Sequence, residues 1–337
     1  MWPGASASTK WIFVLGACAA LVLSCGGPQG TAAGLREPFL FALPLGAPAI
    51  PVPADNPMTV ASVRLGEALF FDKRLSVDSS VSCASCHAPH RAFSDTVAFS
   101  RGVRGQFGLR NAPTLMNVAY QTALFHDGGV PNLEMQVIAP IEDPLEMGHR
   151  IEAAAAALHA AGDHEELSMA AYGRPFDAWV MSRALASYER TLISGRSRFD
   201  RFHYGGQTNA LDNAEQQGWE LFNSERTNCA ACHHGFDLSD HSYQNIGLYM
   251  DYADQGRHRI TLQEEDRGKF KVPTLRNIAL TAPYMHDGSM ATLEEVIDHF
   301  ATGGHPHPNK SPLLRPFTLS SAERSDLIAF LNALTDE

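Results

Sequence analysis

From residue 57 onward, helical spacing of apolar positions dominates the chain, and long alternating strand patterns are absent. Asn56 and Pro57 offer a cap and a first position for a helix through VASVRLGEALFF. Residues 151–161 (IEAAAAALHAA) and 176–194 (FDAWVMSRALASYERTLIS) predict two more helices, the second stopped by Gly195. Thr292 with Glu295, and Ser320 with Glu323, form capping-box pairs ahead of VIDHF and LIAFLNAL, and Gly303 closes the first of these helices. The expected fold is all-α.

One pattern occurs twice. Residues 112–128 read APTLMNVAYQTALFHDG and residues 272–288 read VPTLRNIALTAPYMHDG. Each copy follows one CxxCH. The repeat predicts two domains related by internal duplication, spanning 57–207 and 208–337, with the boundary in YGGQTNALDN.

The amino terminus is of another kind. After Lys10, residues 11–23 (WIFVLGACAALVL) are apolar, too few to cross a bilayer comfortably but suited to a signal-peptide core. Val22-Leu23-Ser24-Cys25 is similar to the lipobox of bacterial lipoproteins, so 1–25 is read as a signal peptide ending at a lipidated Cys25. Residues 26–56, rich in Gly, Pro and Ala, read as a tether and lead-in. The expected location is the periplasm, with the membrane touched only through that lipid anchor. The 337 residues carry a formal charge of -11, which excludes the basic face of a nucleic-acid binder.

Of six cysteines, Cys18 and Cys25 lie in the leader, and four form identical layouts: Cys83, Cys86, His87 and Cys229, Cys232, His233. A zinc site would draw its pairs from close in sequence. A redox CxxC or a disulfide has no use for the histidine. Covalent c-type haem uses all three residues, two sulfurs as thioethers and the imidazole on iron. Two haem c groups are therefore expected, with His87 and His233 as iron ligands. His90 is too close to His87 to reach the opposite haem face and is assigned to surface or loop packing.

LGEALFFDKRLS, RNAPTLMNVAYQTALFHDG and FKVPTLRNIALTAPYMHDG together resemble the bacterial di-haem cytochrome c peroxidase and MauG family over most of residues 50–335. The tail from NKSPLLRPF resembles most the MauG-like MbnH branch, encoded beside small copper-binding partner proteins. The resemblance implies that hydrogen peroxide is activated at the N-terminal haem and that the C-terminal haem relays electrons. It implies Glu146 as the acid–base residue and Gln136 as the group that positions peroxide or water. It also implies one calcium ion between the domains, held by Asn111 and the carbonyls of Thr281 and Pro283.

Residues 91–110 lack the movable distal histidine of other members, so the first iron is expected to keep an open sixth position. At the second haem the usual ligand slot holds Phe300, leaving five-coordination, water, or His299, Met290, His305 or His307. Where the family places an inter-haem tryptophan this chain has His126, which either bridges the haems or packs structurally. The expected function is peroxide-driven oxidation of a residue, tryptophan foremost, on a partner protein. The alternative is a cytochrome c peroxidase that reduces peroxide with electrons from a small cytochrome or cupredoxin.

Overall fold

The computed structural model describes Met1 and residues 32–337. The expected signal peptide and Cys25, with the start of the tether, lie outside the described residues. The described chain is mostly helical, and its one ladder is short: Tyr243–Gln244 pairs antiparallel with Phe270–Lys271.

Two hydrophobic cores organise the chain. In the first, helix Val60–Phe70 crosses helix Ala178–Glu189, and Leu65, Leu69, Phe70, Val180 and Leu185 close against Ile141. In the second, helix Asn213–Asn223 crosses helix Ser321–Asn332, burying Phe222, Phe330 and Leu331 with Ile297. Each crossing is made at a glycine. A Cβ on Gly66 would stand 1.9 Å from the Ala184 carbonyl oxygen, and one on Gly218 would stand 2.0 Å from that of Asp326. Only glycine lets the backbones approach so closely.

Helix Ile151–Ala161 has the expected bounds, and both capping boxes form, with Thr292 accepting from the Glu295 amide and Ser320 from the Glu323 amide. Two expectations need correction. The first long helix is capped by Thr59, whose hydroxyl accepts from the Ser62 amide at 3.1 Å. Asn56 is instead fully buried and donates to Glu134 and to the Arg183 carbonyl. The second helix runs Ala178–Glu189, capped by Asp177, and ends well before Gly195. Arg190, at its end, is drawn into a buried ion pair with Glu134.

Helix Arg198–His203, expected in the first domain, packs with the second: Phe199 lies in the second core and Arg276 holds Asp200 through two bonds of 3.0 and 2.9 Å. The chain thus passes from one core to the other near Ser197.

The repeated segments fold alike. Asn117 and Asn277 are both left-handed, with φ of 60° and 58°, and each opens a single 3-10 turn, Val118–Tyr120 and Ile278–Leu280. A β-bridge follows in each, Leu124 to Val130 and Tyr284 to Met290.

Candidate haem centres

The first cysteine pair sits on one helical turn, Cys83–Cys86, opened by Ser82 with Ser85 as its reciprocal partner. The second sits on the 3-10 turn Cys229–Ala231. All four thiols are unbridged. Cys83 packs on the first core and Cys229 on the second. Burial raises all four thiols, Cys86 to about 11, so none is a reactive thiolate at neutral pH.

The two histidines are presented identically. The His87 amide donates to the Cys83 carbonyl at 2.9 Å, and the His233 amide to that of Cys229 at 3.0 Å. His87 Nδ1 lies 3.0 Å from the Phe93 carbonyl, and His233 Nδ1 lies 3.1 Å from that of Leu238. A carbonyl can only accept, so Nδ1 carries the proton and the Nε2 lone pair is left for a metal. Burial lowers both imidazoles and keeps them neutral. Neutral, oriented imidazoles beside apolar-packed, unpaired thiols are the donor set that covalent haem requires, and the residues fit it at both sites.

Gln136 ends the short helix Leu133–Gln136, and Ile138–Glu142 continues the path. The chain then folds back, with the Met147 amide donating to the Pro140 carbonyl and the His149 amide to that of Ile141. This return carries Glu146 to the loop that follows the first cysteines: the Val103 amide donates to the Glu146 carbonyl at 2.8 Å. Glu146 is exposed as a residue, yet the protein atoms around its carboxyl desolvate it and, with repulsion from Asp143, push it up to about 7. Its negative charge also opposes ionisation of both Cys83 and Cys86. A cleft of about 760 Å³ lies nearby, lined by Met135, Ile138, Trp179 and Arg183, but it includes neither cysteine pair nor Glu146.

Between the two halves, Asn111 joins the repeats. Its carbonyl accepts from His126 Nε2 at 2.9 Å, and its amide donates to the His286 carbonyl at 2.8 Å. Burial lowers His126 to about 4, so it is neutral. The Lys271 amide donates to the His126 carbonyl at 2.7 Å.

Comparison with known proteins identifies the frame. The family pattern of di-haem cytochrome c peroxidases matches residues 60–209, and that of cytochrome c matches 215–335. The methylamine utilization protein MauG of Methylorubrum extorquens is 37% identical over 97% of this chain and 94% of its own. The chain belongs to the di-haem cytochrome c peroxidase and MauG family. The cytochrome c551 peroxidase of Nitrosomonas europaea is 36% identical over 86% of this chain and 84% of its own. The crystal structure of a MauG-like protein associated with microbial copper homeostasis superposes with a TM-score of 0.83, at 36% identity, covering 89% of this chain and 96% of that one. Membership makes this chain a peroxidase-type oxidoreductase with two cytochrome c-type domains and two covalently bound haem c groups.

Within that family frame, the structure ties the Glu146 backbone to Val103, in the loop after the first cysteine pair, and ties the Asn111 backbone to His286, in the segment that also carries Thr281 and Pro283. Arg91 donates to the Ala282 carbonyl between those two residues. Asn111 gives its Nδ2 to the Val97 carbonyl at 3.0 Å. Among the described residues no group of three or more His, Cys, Asp or Glu gathers as a metal site, so a cation here would rest on amide and carbonyl oxygens. His90 is exposed, as expected.

Of the histidines weighed for the second iron, His299 commits Nε2 to the Ile246 carbonyl at 3.0 Å. His307 Nδ1 accepts from the Asn309 amide and Asn245, so its Nε2 bears the proton. Neither offers a free Nε2 lone pair in this arrangement.

Sequence reasoning passed over Glu189. It ends the helix Ala178–Glu189, is 4% exposed, and has an Oε2 without a hydrogen-bond partner. Burial pushes it up to about 8, and its charge would act on Cys83. Nothing in SYERTL separates it from an ordinary surface glutamate.

Proposed function

We propose that peroxide is activated at the N-terminal haem centre, that the C-terminal centre relays electrons, and that the oxidising power is delivered to a residue, tryptophan foremost, of a partner protein. When bound, the haem groups supply iron that accepts peroxide oxygen and exchanges electrons. His87 and His233 would each offer Nε2 as a neutral ligand, with thioethers to Cys83 and Cys86, and to Cys229 and Cys232. Glu146 takes the proton from the inner peroxide oxygen and returns it to the outer one, which leaves as water. Gln136 orients peroxide for that exchange. Asn111, Thr281 and Pro283 would hold a calcium ion that fixes the seam between the halves, and His126 fills the place between the centres.

The observation that carries this reading is Glu146, a carboxyl raised to about 7 and tied through its backbone to the loop after the first cysteine pair. A group half ionised near neutrality is suited to both accept and return a proton. The absence of histidine in 91–110 supports a permanently open first centre. The likeness to a MauG-like protein associated with microbial copper homeostasis supports a copper-binding partner. The matching turns at Asn117 and Asn277 support descent of the two units from one; a divide at 207/208 lies close to the end of the first family match, while the crossing between the cores comes earlier, near Ser197. The leader and Cys25 support an exported, lipid-anchored protein in the periplasm; no helix of the described residues is long and apolar enough to cross a membrane.

The second reading, a scavenger fed by a small cytochrome or cupredoxin, is favoured by the likeness to cytochrome c551 peroxidase. Purified protein mixed with peroxide and the partner separates them. A mass increase on the partner supports the first reading. An unmodified partner, with rapid peroxide-dependent oxidation of a reduced donor, supports the second.

A further inference from the structure

Tyr249 donates its phenolic hydrogen to Asp287 Oδ2 over 2.5 Å, while Asp287 Oδ1 accepts from the Ser289 amide at 3.1 Å. A hydroxyl–carboxylate bond this short is charge-assisted, and it fixes both the ring and the base. The pair stands at the end of a continuous line of contacts from the seam between the halves. The Tyr249 ring meets the His286 ring at 6.4 Å, and His286 stacks on Phe270 at 3.8 Å and 17°. Phe270 adjoins Lys271, which is bonded to His126, and Asn111 ties His126 to His286 from the other side. Tyr249 is half-buried, and its neighbour Met250 is 68% exposed, so the line reaches the surface.

In the resting state the proton stays on Tyr249, because a phenol (pKa about 10) is far weaker an acid than a carboxyl (about 3.9). Loss of one electron from the ring makes the phenol a much stronger acid, and the proton then crosses the existing bond. The carboxylate is already placed to receive it, so oxidation of this ring requires no rearrangement.

We propose that Tyr249, with Asp287 as its proton acceptor, is an oxidisable relay that carries one-electron oxidising equivalents from the peroxide-oxidised haem pair to the protein surface. In each event the Tyr249 O–H bond breaks. The electron goes to the oxidised haem pair, the proton goes to Asp287, and a neutral tyrosyl radical remains. Two such events supply the two electrons that, with two protons, take one peroxide to two waters. An electron drawn from a partner side chain at the surface restores the phenol, and Asp287 returns the proton. This relay rests on peroxide reacting at the haem pair, as argued above.

The test uses the haem-loaded protein, freeze-quenched after one equivalent of peroxide with no partner present. EPR is read on protein made with ordinary and with ring-deuterated tyrosine, and peptide mass spectrometry maps oxidised or cross-linked tyrosines. The expected result is a radical signal that narrows on deuteration and is lost in Tyr249→Phe, with oxidative marks on Tyr249 lost in the same variant. Asp287→Asn, which keeps the Ser289 bond but removes the base, loses the signal too. Tyr120→Phe, away from this line, keeps it. A peroxide-induced change in haem absorption with an undiminished tyrosyl signal in Tyr249→Phe, or with no tyrosyl signal in any form, overturns the relay and leaves peroxide activation standing. No change in haem absorption with peroxide overturns both.

Discussion

Asn117 and Asn277 occupy matching left-handed positions in the two halves and converge on one residue. Asn117 Nδ2 reaches the Ser194 carbonyl at 3.2 Å, and Asn277 Nδ2 reaches the Ser194 hydroxyl at 2.9 Å. Asn277 Oδ1 also accepts from the Asp336 amide at 2.9 Å, which pins the carboxy-terminal segment. Both asparagines are buried. Ser194 is thus one point at which the two halves are joined.

Asn277→Ala removes two bonds at once and places an unsuited side chain at positive φ, so a loss of about 2–4 kcal/mol is expected in denaturant unfolding of the holoprotein. Asn277→Gly relieves the backbone part and should lose measurably less. Equal losses for the two variants would show that backbone conformation contributes nothing there.

Gly102 governs where Glu146 stands. A Cβ at Gly102 would lie 1.9 Å from the Leu145 carbonyl oxygen and 2.6 Å from that of Glu146, both rigid backbone atoms. Gly102→Ala must therefore push the two strands of chain apart. Peroxide turnover should fall about 10²-fold, since a displacement near 1 Å at a reacting group has that effect. Haem content and the absorption of the resting protein should not change. Full activity in this variant would mean that the position of Glu146 is not set by this contact.

What was legible in the sequence was chemistry carried by neighbours in the chain. CxxCH places its three ligating groups within one turn, and Thr292 and Ser320 announce their helices through glutamates three residues on. Thr59 was missed because its reciprocal partner, Ser62, is not the Glu or Gln that marks a capping box. The end of helix Ala178–Glu189 was missed because its last turn meets a long-range ion pair, Arg190 with Glu134, rather than a local stop signal. Glu189, and Tyr249 with Asp287 38 positions away, became visible only once tertiary packing had closed around them.

Glu189 sets a pH dependence of stability. Its folded value, about 8, lies above the unfolded value of 4.5, so the folded state holds a proton that the unfolded state releases. The stabilisation is whole below pH 4.5 and is lost as pH rises through about 8. Arg190 opposes the shift, while Glu134 adds to the burial that causes it. Glu189→Gln keeps a neutral side chain at all pH. It should gain stability over wild type at about pH 9 and differ little at about pH 5, read as unfolding midpoints of the holoprotein. A wild-type difference between the two pH values that survives unchanged in the Gln variant would assign it to other groups.

Glu146 sets a pH dependence of rate with its own sign. The carboxylate is the form that takes the first proton from peroxide, and desolvation by the surrounding protein, with repulsion from Asp143, holds its pKa at about 7. Peroxide turnover should therefore rise with pH through about 7 and level off above it. Glu146→Gln keeps the shape of the side chain but can neither accept nor return a proton. The expected loss is about 10²–10⁴-fold, the usual contribution of a positioned acid–base group, and the acidic limb should vanish from what remains. Glu146→Asp keeps a titrating carboxyl on a shorter stem, so its limb should persist on a reduced rate. Absorption of the resting holoprotein serves as the control, since none of these changes touches the cysteines or His87. Should wild type and the Gln variant share one rate and one profile, proton transfer at the first centre belongs to another residue.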